Sequence, residues 1–92
     1  MHRDSERKLI DKIKRRDFIL SVHAQVRMVE RNVVIEDIIS VAENLRKIEW
    51  QNQHNSYLLE GLDLLGENLL VAADIEDNVV IVTVFYRGND DG

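Results

Sequence analysis

The sequence contains no cysteine and no proline, and its four glycines are dispersed along the chain. The lack of cysteine excludes a disulfide framework, a thiolate metal site and a cysteine nucleophile. Since no glycine-rich loop could cradle a phosphate, the sequence indicates neither a dinucleotide site nor an ATP site. We therefore expect no cofactor and no metal centre, and we interpret the acidic residues near positions 74–77 as a turn.

The sequence also lacks a long hydrophobic run. Its longest one, residues 79–85, is far too short to cross a bilayer, and the first residues do not resemble a secretory signal. We expect a cytoplasmic protein that does not bind a membrane. The length of 92 residues, with 45% hydrophobic and 32% charged side chains, predicts a single globular domain over 1–92.

Charge is distributed unevenly along the chain. The formal net charge is −5, but residues 1–31 hold nine basic and five acidic residues, while residues 32–92 hold three basic and twelve acidic ones. Such a dipolar molecule could present its cationic third to a polyanion or to an acidic protein. The same charges are equally typical of ordinary solvated helices.

Hydrophobic residues at helical spacing predict three helices in the first half of the chain. A basic helix occupies residues 1–17, with a cap at Asp4 or Ser5 and an end near Arg16. Ser21 can cap the second helix, which stops at Asn32, because asparagine tolerates the left-handed conformation that follows many helices.

The pattern also predicts which side chains of the helices are buried. In the second helix we expect the apolar side chains to pack inward, namely those of Val22, Val26 and Val29, with help from Met28. The third helix runs over residues 35–45. Its start is weakly specified, because Val34 stands where a capping serine or threonine is usual.

From residue 46 onward the hydrophobic period changes to two, which predicts strands. We expect four of them, at residues 46–51, 57–63, 69–74 and 79–86, with an extended connector at 17–20 and a loose tail at 88–92. The last two are apolar at nearly every position, so we expect both of their faces to be covered. The prediction is an α+β fold, with two or three helices packed on a roughly four-stranded antiparallel meander.

One stripe of side chains on the second helix is suited to chemistry. His23, Arg27 and Arg31 are spaced at i, i+4 and i+8 and line up on one helix face. An imidazole can transfer protons near neutral pH, and guanidinium groups bind phosphate oxygens. Cleavage of a phosphodiester through its 2′-hydroxyl needs these roles. The spacing alone also fits an ordinary solvated helix face.

The segment VHAQVRMVERNVVIEDIISV, residues 22–41, resembles the opening signature of a family of small bacterial and archaeal domains of unknown function. That signature reads His-Ala-x-x-Arg-Met-x-x-Arg-Gly-Ile, and the family ends near Val-Thr-Val-Tyr. The matching positions are His23, Ala24, Arg27, Met28, Arg31 and residues 81–86. Asn32 replaces the usual glycine, and both residues accept the same backbone conformation. The resemblance covers residues 18–87.

Such domains are similar to the RelE/ParE toxin superfamily, whose members include ribosome-associated ribonucleases and gyrase poisons. The resemblance implies a RelE-like fold and a toxin-type domain, with a metal-independent endoribonuclease as the activity to test. RNA and a cognate antitoxin-like protein would be its partners. Toxins of that superfamily are usually basic, whereas this chain has an isoelectric point of about 5.1.

The resemblance and the charge pattern together assign roles to individual residues. In this hypothesis His23 is the acid or base, Arg27 and Arg31 hold the scissile phosphate, and Tyr86 is a further catalytic candidate. The candidate RNA-binding residues are Lys12, Arg15, Arg16 and Arg87. The resemblance also marks Thr83 for testing, although as the lone polar residue of an apolar strand we expect it in the core. His54 is expected to be merely exposed in a polar loop.

A second class of function fits the same sequence. A non-catalytic protein-interaction module, or an inactive toxin remnant of the same fold, would carry the same residues. The acidic body favours the module, and the stripe from His23 to Arg31 favours the enzyme. Both alternatives permit a homodimer, since two fully apolar strands in so short a chain need extra cover.

Overall fold

The protein folds into three helices and a five-stranded sheet in a computed structural model that describes residues 3–88. This confirms the predicted α+β class. Of the predicted tail, residues 89–92 lie outside the described residues. The elements are α1 (Arg3–Lys14), β1 (Ile19–Leu20), α2 (Val22–Arg31), α3 (Ile35–Glu43), β2 (Leu45–Gln51), β3 (Ser56–Leu62), β4 (Asn68–Ile75) and β5 (Val79–Tyr86).

The sheet has the strand order β1-β5-β4-β3-β2. Strands β2 to β5 form the predicted antiparallel meander. The expected connector at 17–20 instead contributes β1, which pairs in parallel with β5 through Ile19 opposite Val80 and Leu20 opposite Ile81. The prediction of a purely antiparallel sheet is therefore wrong at this edge, because two residues are too few to show a strand period.

The two faces of the sheet differ in their cover. Helices α1 and α3 pack on the face that we call the covered face, whose side chains include Leu59, Val71, Ala73 and Ile81 and lie in the main core together with Leu9 and Ile13. The opposite face, the open face, carries Leu58, Leu70, Ala72, Thr83 and Phe85, as the strand register requires. On this face Leu70 and Ala72 of β4 are buried, so the expected cover on both faces is confirmed for β4. Thr83 and Phe85 of β5 are only half-buried, so the same expectation is wrong for β5.

A β-bulge in β5 decides which of its residues reach the open face. Ile81 lies opposite Ala73 and Thr83 lies opposite Ala72, so Val82 is an extra residue between them. With strict alternation from Val79 and Ile81, Thr83 would point into the core. The bulge reverses the alternation and places Thr83 on the open face, which is why its predicted core position is wrong.

Helix α2 packs against β5 and buries a different side from the one predicted. Ala24 and Met28 are buried in the core, whereas Val22 and Val29 are 76% and 79% exposed and Val26 is also exposed. The prediction failed because the apolar valines were assumed to face inward. The small Ala24 lets the helix backbone approach the sheet closely.

The start of α3 is fixed by an acidic side chain and not by the residue before the helix. Val34 offers no side-chain cap, but the carboxylate of Asp37 accepts a hydrogen bond from the Val34 backbone N–H at 3.0 Å. Its other oxygen accepts one from the Leu64 N–H, also at 3.0 Å. Asp37 therefore fixes the start of the helix and ties it to the β3–β4 turn. The prediction that Val34 is a poor cap is confirmed, because its side chain makes no capping hydrogen bond.

None of the helices described over residues 3–88 is both long enough and apolar enough to cross a bilayer.

The finding that α2 buries Met28 and exposes Val29 can be tested by truncating these two neighbouring side chains. We expect Met28→Ala to lower the free energy of unfolding by about 2–5 kcal/mol, because it opens a cavity in the core. The matched change Val29→Ala should alter it by less than about 0.5 kcal/mol, since that side chain is in solvent. Urea unfolding followed by circular dichroism measures both. Equal losses in the two variants would contradict this placement of the helix.

Candidate functional site

Ser21 attaches the start of α2 to the bulged strand. Its backbone N–H donates to the carbonyl of Ile81 at 3.0 Å, and its hydroxyl donates to the carbonyl of Val82 at 2.9 Å. The same hydroxyl accepts a hydrogen bond from the Ala24 N–H at 2.9 Å, the contact of a helix N-cap. His23, two residues farther on, is therefore held at a fixed place beside β5.

The stripe predicted on α2 is present, but its three side chains differ in exposure. His23 is exposed, while the side chains of Arg27 and Arg31 are 25% and 9% exposed. The Nη1 atom of Arg27 donates to the Glu30 carboxylate at 2.8 Å, and Nη1 of Arg31 lies 3.8 Å from the same carboxylate. The stripe thus runs from solvent at His23 into the protein at Arg31.

An open pocket of about 530 Å³ lies on the open face of the sheet, with His23 on its wall. Its apolar side chains come from three adjacent strands, β3, β4 and β5. The lining residues are His23, Gln51, His54, Ser56, Leu58, Ala72, Val82, Thr83 and Phe85. A mainly apolar floor with a few polar groups at its rim is the usual form of a ligand site.

Two buried polar atoms, one on the pocket lining and one farther along α2, lack a hydrogen-bond partner among residues 3–88. They are the hydroxyl oxygen of Thr83, on the pocket lining, and Nε of Arg27, one helical turn from His23. Leaving a buried polar group unsatisfied costs about 1–3 kcal/mol, so such groups are often found at functional sites. Both groups are hydrogen-bond donors that an anionic ligand could satisfy.

The structure also brings a second histidine to the pocket. His54, expected to be merely exposed in its loop, is exposed but lines the same pocket as His23. The two residues are 31 positions apart in the sequence. Only the fold of the β2–β3 hairpin places them together, so no spacing rule could have paired them.

Tyr86 is on the other side of the sheet from His23. Its side chain packs against the core on the covered face, and its hydroxyl donates to the Asp63 carboxylate at 2.7 Å. Burial, and then this carboxylate, raise the pKa of Tyr86 far above its usual range. The structure therefore does not bring Tyr86 to the pocket.

Asp63 is the centre of a hydrogen-bonded turn. Burial by itself would raise the pKa of the Asp63 carboxyl, but hydrogen bonds from the Tyr86 hydroxyl and from the N–H groups of Glu67 and Leu65 lower it overall. Asp63, which accepts the hydrogen bond from Tyr86, thus has a structural role: it holds the β3–β4 turn against β5.

The four predicted RNA-binding residues all have carboxylate partners. The pairs are Lys12–Asp17 at 3.0 Å, Arg15–Asp11 at 2.7 Å, Arg16–Glu36 at 2.6 Å and Arg87–Glu60 at 2.6 Å. The hydrogen bond from Arg16 lowers the pKa of Glu36, and that from Arg87 lowers the pKa of Glu60. Exposed pairs of this kind contribute only about 0–1 kcal/mol, so a phosphate could displace the carboxylates.

These cations do not form one surface with the pocket. Arg16 lines a separate groove with Gln25, which lies about 200° around the helix from His23. Arg87 is the one of the four that lies on the same face of the sheet as the pocket, because it donates a hydrogen bond to Glu60 on the open face of β3. Within residues 3–88, no three histidine or carboxylate side chains are placed to bind one metal ion.

A protein-family model matches residues 20–86, from the last residue of β1 to the last residue of β5. The chain belongs to the DUF4258 family. This family is described as a domain of unknown function. No curated protein and no solved structure matches the chain.

The DUF4258 match contains every residue that lines the pocket, and it also contains the stripe from His23 to Arg31. Helix α1, with Lys12, lies outside the matched range, and so do Arg15 and Arg16. The pocket on the open face is thus part of the DUF4258 match, while most of the basic N-terminal segment lies outside it.

The lowered pKa of Asp63 predicts how stability depends on pH. A carboxyl whose pKa is lowered by folding stabilises the protein above its unfolded pKa, about 3.9, and this contribution is lost as the pH falls through the folded value. We expect Asp63→Asn to lose about 1.5–3 kcal/mol of stability near pH 7 and progressively less below pH 4. Chemical unfolding across this pH range measures the difference.

The exposed Asp77 in the β4–β5 turn provides the matched control for this test. Asp77→Asn should remain close to the wild type at every pH. If Asp63→Asn were as stable as Asp77→Asn at neutral pH, the role assigned to the turn would be wrong.

Proposed function

We propose that this DUF4258 protein is a RelE/ParE-like, toxin-type domain that cleaves RNA phosphodiester bonds without a metal ion. The observation that supports this most is the placement of His23 on the wall of an open pocket, one helical turn from the half-buried Arg27. An imidazole and a guanidinium one turn apart have Cβ atoms about 5–6 Å from each other, so one phosphodiester can contact both.

In this mechanism the imidazole of His23 acts as acid or base while the 2′-oxygen forms a bond to phosphorus and the bond from phosphorus to the 5′-oxygen breaks. The 2′-hydroxyl loses its proton, and the leaving 5′-oxygen gains one. The guanidinium of Arg27 stabilises the charge that develops on the phosphoryl oxygens, as preorganised donors do at a transition state. Its position is set by Glu30, and its Nε has no acceptor among residues 3–88. The side chain of Arg31 is only 9% exposed, so substrate cannot contact it directly. We therefore propose that Arg31 helps to position Arg27 and the end of α2.

A cognate antitoxin-like protein is the natural partner of such a domain. An inhibitor that fills the pocket on the open face would block His23 from RNA. The acidic isoelectric point of about 5.1 makes a strongly cationic inhibitor segment a suitable match.

The alternative function, a protein-interaction module, is favoured by a different surface. Val22, Val26 and Val29 form an exposed apolar stripe along α2, and Ile19 beside them is also exposed. Surface patches of this kind often mark protein contacts, including homodimer contacts. This stripe is on the far side of α2 from the packed residues, so a partner there would not need the pocket.

The enzyme hypothesis is tested by expressing the wild type and the double variant His23→Ala/Arg27→Ala inducibly in bacteria. We expect the wild type to slow growth and degrade RNA, and the purified protein to cleave RNA with a chelator present. Loss of the proton-transfer group should lower the rate by about 10²- to 10⁴-fold. Growth curves, RNA gels and end-group analysis for 2′,3′-cyclic phosphate provide the readout.

The matched control is Val22→Ala/Val26→Ala, two exposed residues of the same helix that lie away from the pocket. It should retain full cleavage. An intact RNA pool with the wild type, both in cells and with the purified protein, would rule out the ribonuclease. If the valine variant then disrupted a complex or a dimer, the interaction module would be the better description.

A further inference from the structure

We infer that His54 is a second proton-transfer residue, so that the pocket is a two-histidine site for a dinucleotide step of single-stranded RNA. The inference rests on the proposed function and adds a catalytic residue and a substrate class to it. Its basis is that two histidines, from different elements of the fold, line one pocket with a mainly apolar floor.

The strand register gives the width of that floor. Thr83 on β5 lies opposite Ala72 on β4, and Ala72 lies opposite Leu58 on β3, so these three residues form a row across the open face. Two interstrand spacings make the row about 10 Å wide. His23 belongs to α2, which packs against β5, and His54 belongs to the turn that precedes β3, so the two histidines reach the pocket from different elements.

The apolar floor of the pocket is suited to a nucleobase next to the phosphodiester on which the histidines act. Leu58, Val82 and Phe85 supply apolar surface, and an aromatic ring can stack on any base. Single-stranded RNA is required, because the bases of a duplex are already stacked and could not enter. The pocket volume of about 530 Å³ is within the range of ordinary ligand sites.

Two histidines complete the proton balance of the reaction. One imidazole, in its neutral form, accepts the proton of the 2′-hydroxyl as the 2′-oxygen forms a bond to phosphorus. The other, in its protonated form, donates a proton to the 5′-oxygen as the phosphorus–oxygen bond to that atom breaks. The products are a 2′,3′-cyclic phosphate and a free 5′-hydroxyl, and no metal or oxidant takes part.

The test compares two substrates that differ only in the leaving group. One is a dinucleoside monophosphate, and the other is a nucleoside 3′-(4-nitrophenyl phosphate), whose leaving group needs no proton. We expect His23→Ala and His54→Ala each to cleave the first substrate about 10²- to 10⁴-fold more slowly than the wild type. On the second substrate, the variant that lacks the acid should recover to within about tenfold of the wild type, and the other should not.

Gln53→Ala is the control, because it changes the neighbouring exposed residue of the same loop. It should cleave both substrates like the wild type, and all three variants should keep the wild-type melting temperature. If His54→Ala behaved like Gln53→Ala while His23→Ala was inactive, the role of His54 would be wrong and the proposed ribonuclease would stand. Equal losses on both substrates for both histidine variants would also overturn the two-histidine assignment. A wild type inactive on both substrates would overturn the ribonuclease itself.

Discussion

The open face and its pocket depend on one point of attachment, where Ser21 meets the bulge in β5. A single hydroxyl donates to the Val82 carbonyl and accepts from the Ala24 N–H, so it joins the strand to the start of α2. The bulge turns Thr83 toward the open face, and the cap places His23 next to it. The buried side chains of Ala24 and Met28 pack the rest of α2 against the core, while Ser21 and the bulge set which part of β5 lies beside His23.

Much of the fold could be predicted from local patterns, because the three helices and four meander strands are long enough to show a period. The features that could not be predicted each depend on a contact between distant residues. Two residues of β1 are a strand only because β5 lies beside them. Thr83 leaves the core only because Val82 bulges, and nothing in an apolar run indicates which residue will be extra.

Part of the candidate site could also be predicted from the sequence, namely the part that depends on helical spacing. Helical spacing aligned His23 with Arg27 and Arg31, but it could not show that exposure falls from the first to the last. The valines of α2 misled the prediction because burial depends on where the helix lies and not on hydrophobicity alone. Tyr86, which follows Phe85 on the same strand, faces the covered side, whereas His54 reaches the pocket from a loop whose sequence carries no motif.

RNA bound in the pocket on the open face would contact both histidines, and mapping the binding surface is the direct test of this proposal. Nuclear magnetic resonance spectra would be recorded while a short single-stranded RNA with a 2′-deoxy sugar at the cleavage position, which cannot be cut, is added to the protein. We expect the largest chemical-shift changes at the pocket residues Leu58, Ala72, Thr83 and Phe85 and at both histidine rings. Shifts confined to the basic residues of α1, or no shifts at all, would contradict it.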